Sequence, residues 1–192
     1  MNAEKTGHAP RYLFPKAYAD FVQRLRVAGG FVLLVLFAWG SHPSRRSMLL
    51  GLPVSAVGLA LRAWAAGHLS KDRELAVSGP YAYLRNPLYA GTLVAASGLV
   101  VASENKWLAI TAAIVFTLVY LPAIELEEQH LREIFPEYEK YAASVSRLLP
   151  GRKYLGSVLA FSGSSYLRNE EYKAVVGWSV AVAWLIWRSR LL

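Results

Sequence analysis

The chain has 192 residues, no cysteine, a formal charge of +8, a hydrophobic fraction of 55% and a mean hydropathy of +0.29. Without cysteine there are no disulfides and no thiolate metal sites, and the length suits a single domain, read as residues 1–192. Apolar residues fall in blocks, which favours a membrane protein over a soluble globule; the positive charge then suits cytoplasmic loops facing anionic lipid, and no nucleic-acid partner is expected.

The first twenty-six residues are polar and basic, with no short apolar core or small-residue cleavage site, so no signal peptide is expected. Five membrane spans are predicted: Phe21 to Trp39, Met48 to Gly67, Leu88 to Ser103, Trp107 to Ile124, and Ala174 to Trp187. The third and fifth are shorter than the ~20 residues that cross a bilayer at right angles, and must borrow flanking residues, sit in thinned lipid or be partly buried in protein. Arg62 lies inside the second span, where a buried carboxylate partner is expected. Glu104, Asn105 and Lys106 turn the third span into the fourth as a helical hairpin. Trp107, Trp178, Trp184 and Trp187 lie near span ends, where amphipathic rings favour the interface. With five spans, 15 of the 21 Lys and Arg residues share the side of the N-terminus and 5 lie opposite, Arg62 being inside a span. That balance puts the N-terminus in the cytoplasm.

Glu125 to Leu149 reads as an amphipathic helix on the cytoplasmic face, broken at Pro136. Leu126, Ile134, Tyr138, Tyr141, Val145 and Leu148 form its apolar stripe. Gly151 to Tyr172 reads as a second interfacial piece. The segment Gly79 to Gly91 holds two glycines, two prolines, three tyrosines and an arginine between two long apolar runs, a composition suited to a backbone shaped around a ligand. Pro87 suits the first turn of the third span, with Asn86 as its cap. A helix start suits a carboxylate, Arg85 adds a guanidinium fork, and Tyr89 offers a ring face to a cation. Glu125, Glu127 and Glu128 directly follow a span; they are either paired, facing a wet cavity, or the plain start of a surface helix. The histidines at 8, 42, 68 and 130 have no metal-ligand spacing, so no metal is expected, and His68 alone at an interface has an ordinary structural reading. Residues His68 to Gly91 and Glu125 to Pro150 fall on the same, cytoplasmic side, and are expected to line one pocket reached by a soluble cofactor from the cytosol and by a lipid-like substrate from the bilayer.

These residues, in order, resemble the integral-membrane methyltransferases of the isoprenylcysteine carboxyl methyltransferase and phospholipid methyltransferase group. The likeness rests on His68, Gly79-x-Tyr81, Arg85-Asn86-Pro87-Leu88-Tyr89-Ala90-Gly91, Glu127-Glu128, Phe135-Pro136-Glu137-Tyr138-x-x-Tyr141 and Arg147-x-x-Pro150, and spans a core of about 59–150. It implies an all-α polytopic membrane protein with a cytoplasmic cofactor pocket, in a bacterial inner membrane. It also implies methyl transfer from S-adenosylmethionine to a lipophilic acceptor, either a prenylcysteine-like carboxylate or a phospholipid-like amine. His68, Gly79, Tyr81, Arg85, Asn86, Pro87, Tyr89, Gly91, Glu127 and Glu128 are the implied cofactor surroundings, with Arg85 and Glu127 in the catalytic roles. Asn86 stands where the isoprenylcysteine branch has histidine, and Pro122-Ala123-Ile124 stand where its eukaryotic members have an arginine. If that arginine holds the substrate carboxylate, prenylcysteine is not the acceptor here. The alternatives are an NADPH-dependent membrane reductase like the sterol reductases, which predicts more spans and basic contacts to a 2′-phosphate, and a non-enzymatic membrane protein.

Overall fold

The computed structural model of the chain describes residues 14–70, 73–151, 154 and 159–190, and within α1 it leaves out the side chains of 16, 19, 20 and 23–27. Of the charges counted for topology, Lys5, Arg11, Lys71, Arg152 and Lys153 lie outside the described residues, as do the side chains of Lys16, Arg24 and Arg26 and part of the piece Gly151 to Tyr172.

The described chain is all-helical: α1 (Lys16–Gly40), α2 (Arg45–Ala66), α3 (Pro87–Ser103), α4 (Lys106–Val115), α5 (Leu121–Ile134), α6 (Tyr138–Ser144), α7 (Gly163–Arg168) and α8 (Tyr172–Ser189). Helices stand at all five expected spans. Two, α2 and the unbroken run Lys106–Ile134, are long and apolar enough to cross a membrane, while Ala28–Gly40 and Pro87–Ser103 are apolar but shorter. Only 22% of each long apolar window is buried, whereas the core helix of a soluble protein is mostly covered. Leu49, Leu50, Val54 and Val57 of α2, and Ile110, Ile114 and Leu118 of the longer run, face outward. Apolar residues turned outward over such lengths mark a membrane protein.

The closest helix pairing is α2 against α3, and small residues make it possible. A Cβ added at Gly58 would stand 2.6 Å from the Gly91 carbonyl oxygen and 2.8 Å from Ala95 Cα; one at Gly98 would stand 2.7 Å from Ser55 Cα. At one end the hairpin turns as expected. Glu104 takes a left-handed conformation (φ 55°), and Asn105 Oδ1 accepts the amides of Trp107 and Leu108. Asn105 Nδ2 also donates to the Gly40 carbonyl, tying α1 to this turn at 2.8 Å. Phe37, Ala102, Leu108 and Leu185 then close a core between α1, α3, α4 and α8.

Arg62 has the carboxylate partner its depth demands. Its Nη2 donates to Glu171 Oε2 at 3.0 Å and its Nε to Oε1, while Nη1 donates to the hydroxyl of Thr92. Glu171 precedes α8, so this pair pins the last helix to α2. Trp178 also serves packing: its indole N–H donates to Ser55 Oγ at 2.8 Å.

The separate amphipathic helix expected over Glu125 to Leu149 is corrected. Residues 121–134 continue the membrane helix through one π turn, Phe116–Tyr120, where the Leu121 amide reaches back to the Phe116 carbonyl. Pro122 has no N–H for the Leu118 carbonyl, which accepts the Tyr18 hydroxyl instead at 2.9 Å. The helix ends at Phe135, extended at φ −121°, ψ 104°, because a residue before proline is barred from helical geometry. Of the expected stripe, Tyr138, Tyr141 and Val145 are buried together against Leu75, Val77 and Leu131, whereas Ile134 is exposed.

Candidate functional site

The end of the fold opposite the hairpin turn carries the motif residues. Gly79 has φ +58°, and a Cβ there would stand 2.5 Å from the His68 ring, so both conformation and space require glycine. His68 Nδ1 is 3.0 Å from Ser78 Oγ, and its ring meets Trp64 and Phe161 edge-on. Partial burial lowers its pKa. His68 thus holds the start of the loop. The loop makes a 3-10 turn at Gly79–Ala82 and is laced to the segment after α6 by backbone bonds: Arg85 N to Ser146 O at 2.9 Å, Asn86 N to Arg147 O at 3.2 Å, Gly151 N to Tyr83 O at 2.9 Å and Tyr154 N to Ala82 O at 2.7 Å. The Tyr141 hydroxyl donates to the Tyr81 carbonyl at 2.7 Å.

Asn86 sits at the N-cap of α3, but its side chain does not cap it. Pro87 offers no amide, and the Asn86 Nδ2 donates to Glu128 Oε1 at 2.8 Å and to the Arg147 carbonyl at 3.3 Å. Glu128 is fully buried and accepts from Arg147 Nη2 at 3.0 Å, with Arg85 Nε 3.4 Å from its other oxygen. That last separation is an ion pair without hydrogen-bond geometry, so Arg85 Nε is buried without a hydrogen bond, as are the hydroxyl of Tyr138 beside it and, in α8, the indole nitrogen of Trp184. Burial pushes the Tyr138 phenol up, Glu128 adds to the shift, and Arg85 opposes it.

One residue earlier, Glu127 is exposed. It accepts the Tyr89 hydroxyl at 2.9 Å. The Tyr89 ring meets Tyr120 edge-on at 6.1 Å, and Tyr120 stacks with Phe116 at 6.0 Å. The result is a carboxylate beside a row of ring faces, a surface that attracts cations. Tyr81 is buried close by; desolvation raises its pKa most, and the charge of Glu127 adds to it. Glu125, also buried, accepts the Phe14 amide at 3.3 Å.

The structure therefore joins Tyr81, Arg85, Asn86, Pro87, Tyr89, Glu127 and Glu128 at the start of α3. His68 and Gly79 brace the loop behind them. Gly91 lies instead in the α2–α3 seam, where a Cβ would stand 2.7 Å from Arg62 Cγ. Tyr120 and Glu171 were not singled out by their residue types, and Arg147, marked only as a motif end, is a direct partner of Glu128. Two cavities, of about 660 and 680 Å³, open at the Arg45 end of α2, and neither is lined by these residues.

Residues 54–138 match the family described as phospholipid methyltransferase. The chain is also similar to two curated proteins. One is the nickel-cobalt-cadmium resistance protein NccN of Alcaligenes xylosoxydans xylosoxydans, 36% identical over 104 residues, covering 53% of this chain and 47% of the relative. The other is the cobalt-zinc-cadmium resistance protein CzcN of Cupriavidus metallidurans, 37% identical over 125 residues, covering 63% and 56%. The chain thus spans about half the length of these relatives. No solved structure matches it significantly. The matched segment contains most of the α2–α3 seam, the loop and both glutamates, and the resemblance read from the motifs is borne out as a match of residues 54–138 to the phospholipid methyltransferase family.

Proposed function

We propose that the protein transfers a methyl group from S-adenosylmethionine to a lipophilic acceptor at the membrane face bearing Arg85 and Glu127. The observation that carries this reading is the convergence of motif residues from three separate segments, joined through Asn86–Glu128, Arg147–Glu128 and Tyr89–Glu127, of which all but Arg147 lie within the segment that matches the family. The donor set fits the cofactor. Glu127 with the rings of Tyr89 and Tyr120 suits an ammonium or sulfonium, and Arg85, whose Nε is ion-paired with Glu128 but makes no hydrogen bond, suits a carboxylate. When bound, the cofactor supplies an electrophilic methyl group. The work left to the chain is to orient the reactants and exclude water. A carboxylate acceptor needs no base. An amine acceptor must first lose a proton, and Glu127 is the exposed carboxylate to take it.

In this reading α1, α2, α3, the run Lys106–Ile134 and α8 all cross the membrane and the site faces the cytoplasm. The two relatives are named for metal resistance. Membrane methylation is then the activity through which a resistance role would act.

The test is calorimetric titration of the detergent-purified chain with S-adenosylhomocysteine, with NADPH as control. Saturable binding of the first alone, weakened in Glu127→Gln, is expected. Binding of NADPH alone would move the assignment to a reductase. Binding of neither by folded protein would refute both.

A further inference from the structure

The two cavities at the far end of α2 are continuous in their lining, sharing Arg45, Met48 and Ile186. The first is polar at its mouth, with His42, Ser44 and Arg190 beside Arg45. The second is an apolar groove between α2 and α8, walled by Leu52, Pro53, Ala56 and Trp178. Two cationic heads thus stand at the end of a greasy channel that runs along membrane-facing helices. Neither guanidinium has an ion-pair or hydrogen-bond partner among the described residues, and Glu104, the acid at this end, pairs with neither. The start of α2 adds its own partial positive charge at Arg45.

We infer that this composite cavity binds a bilayer lipid with an anionic phosphate headgroup. Its phosphate meets Arg45 and Arg190, and one acyl chain lies in the α2–α8 groove. The charge of the mouth selects an anion, and the apolar continuation selects an amphiphile over a free ion. The site is distinct from the candidate methyl-transfer site: none of its lining residues belongs to that site, and its arginine end, at the first turn of α2, lies roughly 30 Å from the last turn at the rise of an α-helix. The lipid would seat α8 against α2 at one end, as Glu171 and Arg62 do at the other.

The experiment is native mass spectrometry of the full chain in mild detergent, titrated with phosphatidylglycerol and, separately, with phosphatidylcholine of the same acyl chains. One saturable phosphatidylglycerol per chain is expected, with phosphatidylcholine much weaker. The double variant Arg45→Gln/Arg190→Gln should bind roughly tenfold or more weakly. Ala56→Phe, which fills the groove from an exposed position, should weaken binding without touching a charge. Arg46→Gln removes the same charge beside the site but outside its lining, and should bind as the parent does. Equal loss in Arg46→Gln and Arg45→Gln would mean diffuse attraction and overturn the site. So would displacement by inorganic phosphate with no dependence on the acyl chain, or a dimer that forms in place of lipid binding.

Discussion

Glu128 is the most sensitive residue at the site, because it is the anion on which Arg85, Arg147 and Asn86 converge. Its side chain is 1% exposed, against 13% for Arg85 and 30% for Arg147. Glu128→Ala leaves two guanidiniums facing each other with no counter-charge, and Asn86 without its acceptor. Breaking a buried pair from one side costs about 3–5 kcal/mol. For a chain of this size that is a fall in melting temperature of roughly 6–20 °C. Arg85→Ala removes one of two cations and should cost about 1–3 kcal/mol. Arg147→Ala should cost least, about 1 kcal/mol, since its group is already partly hydrated. The assay is thermal unfolding in detergent followed by fluorescence of the six tryptophans; with no cysteine, thiol-reactive dyes report nothing. Glu127→Gln, on the exposed neighbour, should melt with the parent. An alanine at 128 as stable as glutamate, or Arg147→Ala as the worst of the three, would refute the account of this cluster.

Three further outcomes follow from the packing. Gly58→Ala should destabilise by about 1–3 kcal/mol, because its Cβ meets the α3 backbone, whereas Gly177→Ala, with nothing within 4 Å, should be neutral or slightly stabilising in the same melt. Glu171→Leu alone should cost about 3 kcal/mol by stranding Arg62, and adding Arg62→Leu should recover most of it, a non-additivity that a double-mutant cycle measures. Burial raises the phenol pKa of Tyr81, Tyr138 and Tyr141 above the usual 10.0. A raised folded-state value stabilises below the unfolded pKa and is lost as pH climbs through it, so unfolding should set in above pH ~10, with these three phenols ionising, by absorbance at 295 nm, only as the fold opens.

Much of the helix layout was legible because it follows from composition and local chemistry. The five apolar blocks located the long helices, Asn105 marked the hairpin turn, and a charge at the depth of Arg62 required a carboxylate. The identity of that carboxylate was not legible. Glu171 is 109 residues away, and nothing in its surroundings signals a partner on α2. The onset of charge at Glu125 suggested a new surface element, but charge does not end a helix; Pro136, well downstream, does. Gly91 read as part of a ligand loop because it closes a polar motif, whereas only the opposing backbone of Gly58 shows that its missing Cβ serves the helix seam.

The glutamate pair shows why a motif can be found in sequence while its roles cannot be divided there. Adjacent residues on an α-helix point about 100° apart. Glu128 is turned inward and is consumed in holding the start of α3 to the segment after α6, through Asn86 and Arg147. Glu127 is turned outward to Tyr89 and the aromatic row, with its carboxylate open to solvent. Loss of activity at either position would look the same in a turnover assay. Stability separates them: at 128 lost activity should come with a lower melting temperature, and at 127 it should come with an unchanged melt and weaker S-adenosylhomocysteine binding. If Glu127→Gln lowered the melt as far as Glu128→Ala, both carboxylates would be scaffold, and the ammonium subsite would have to be sought elsewhere.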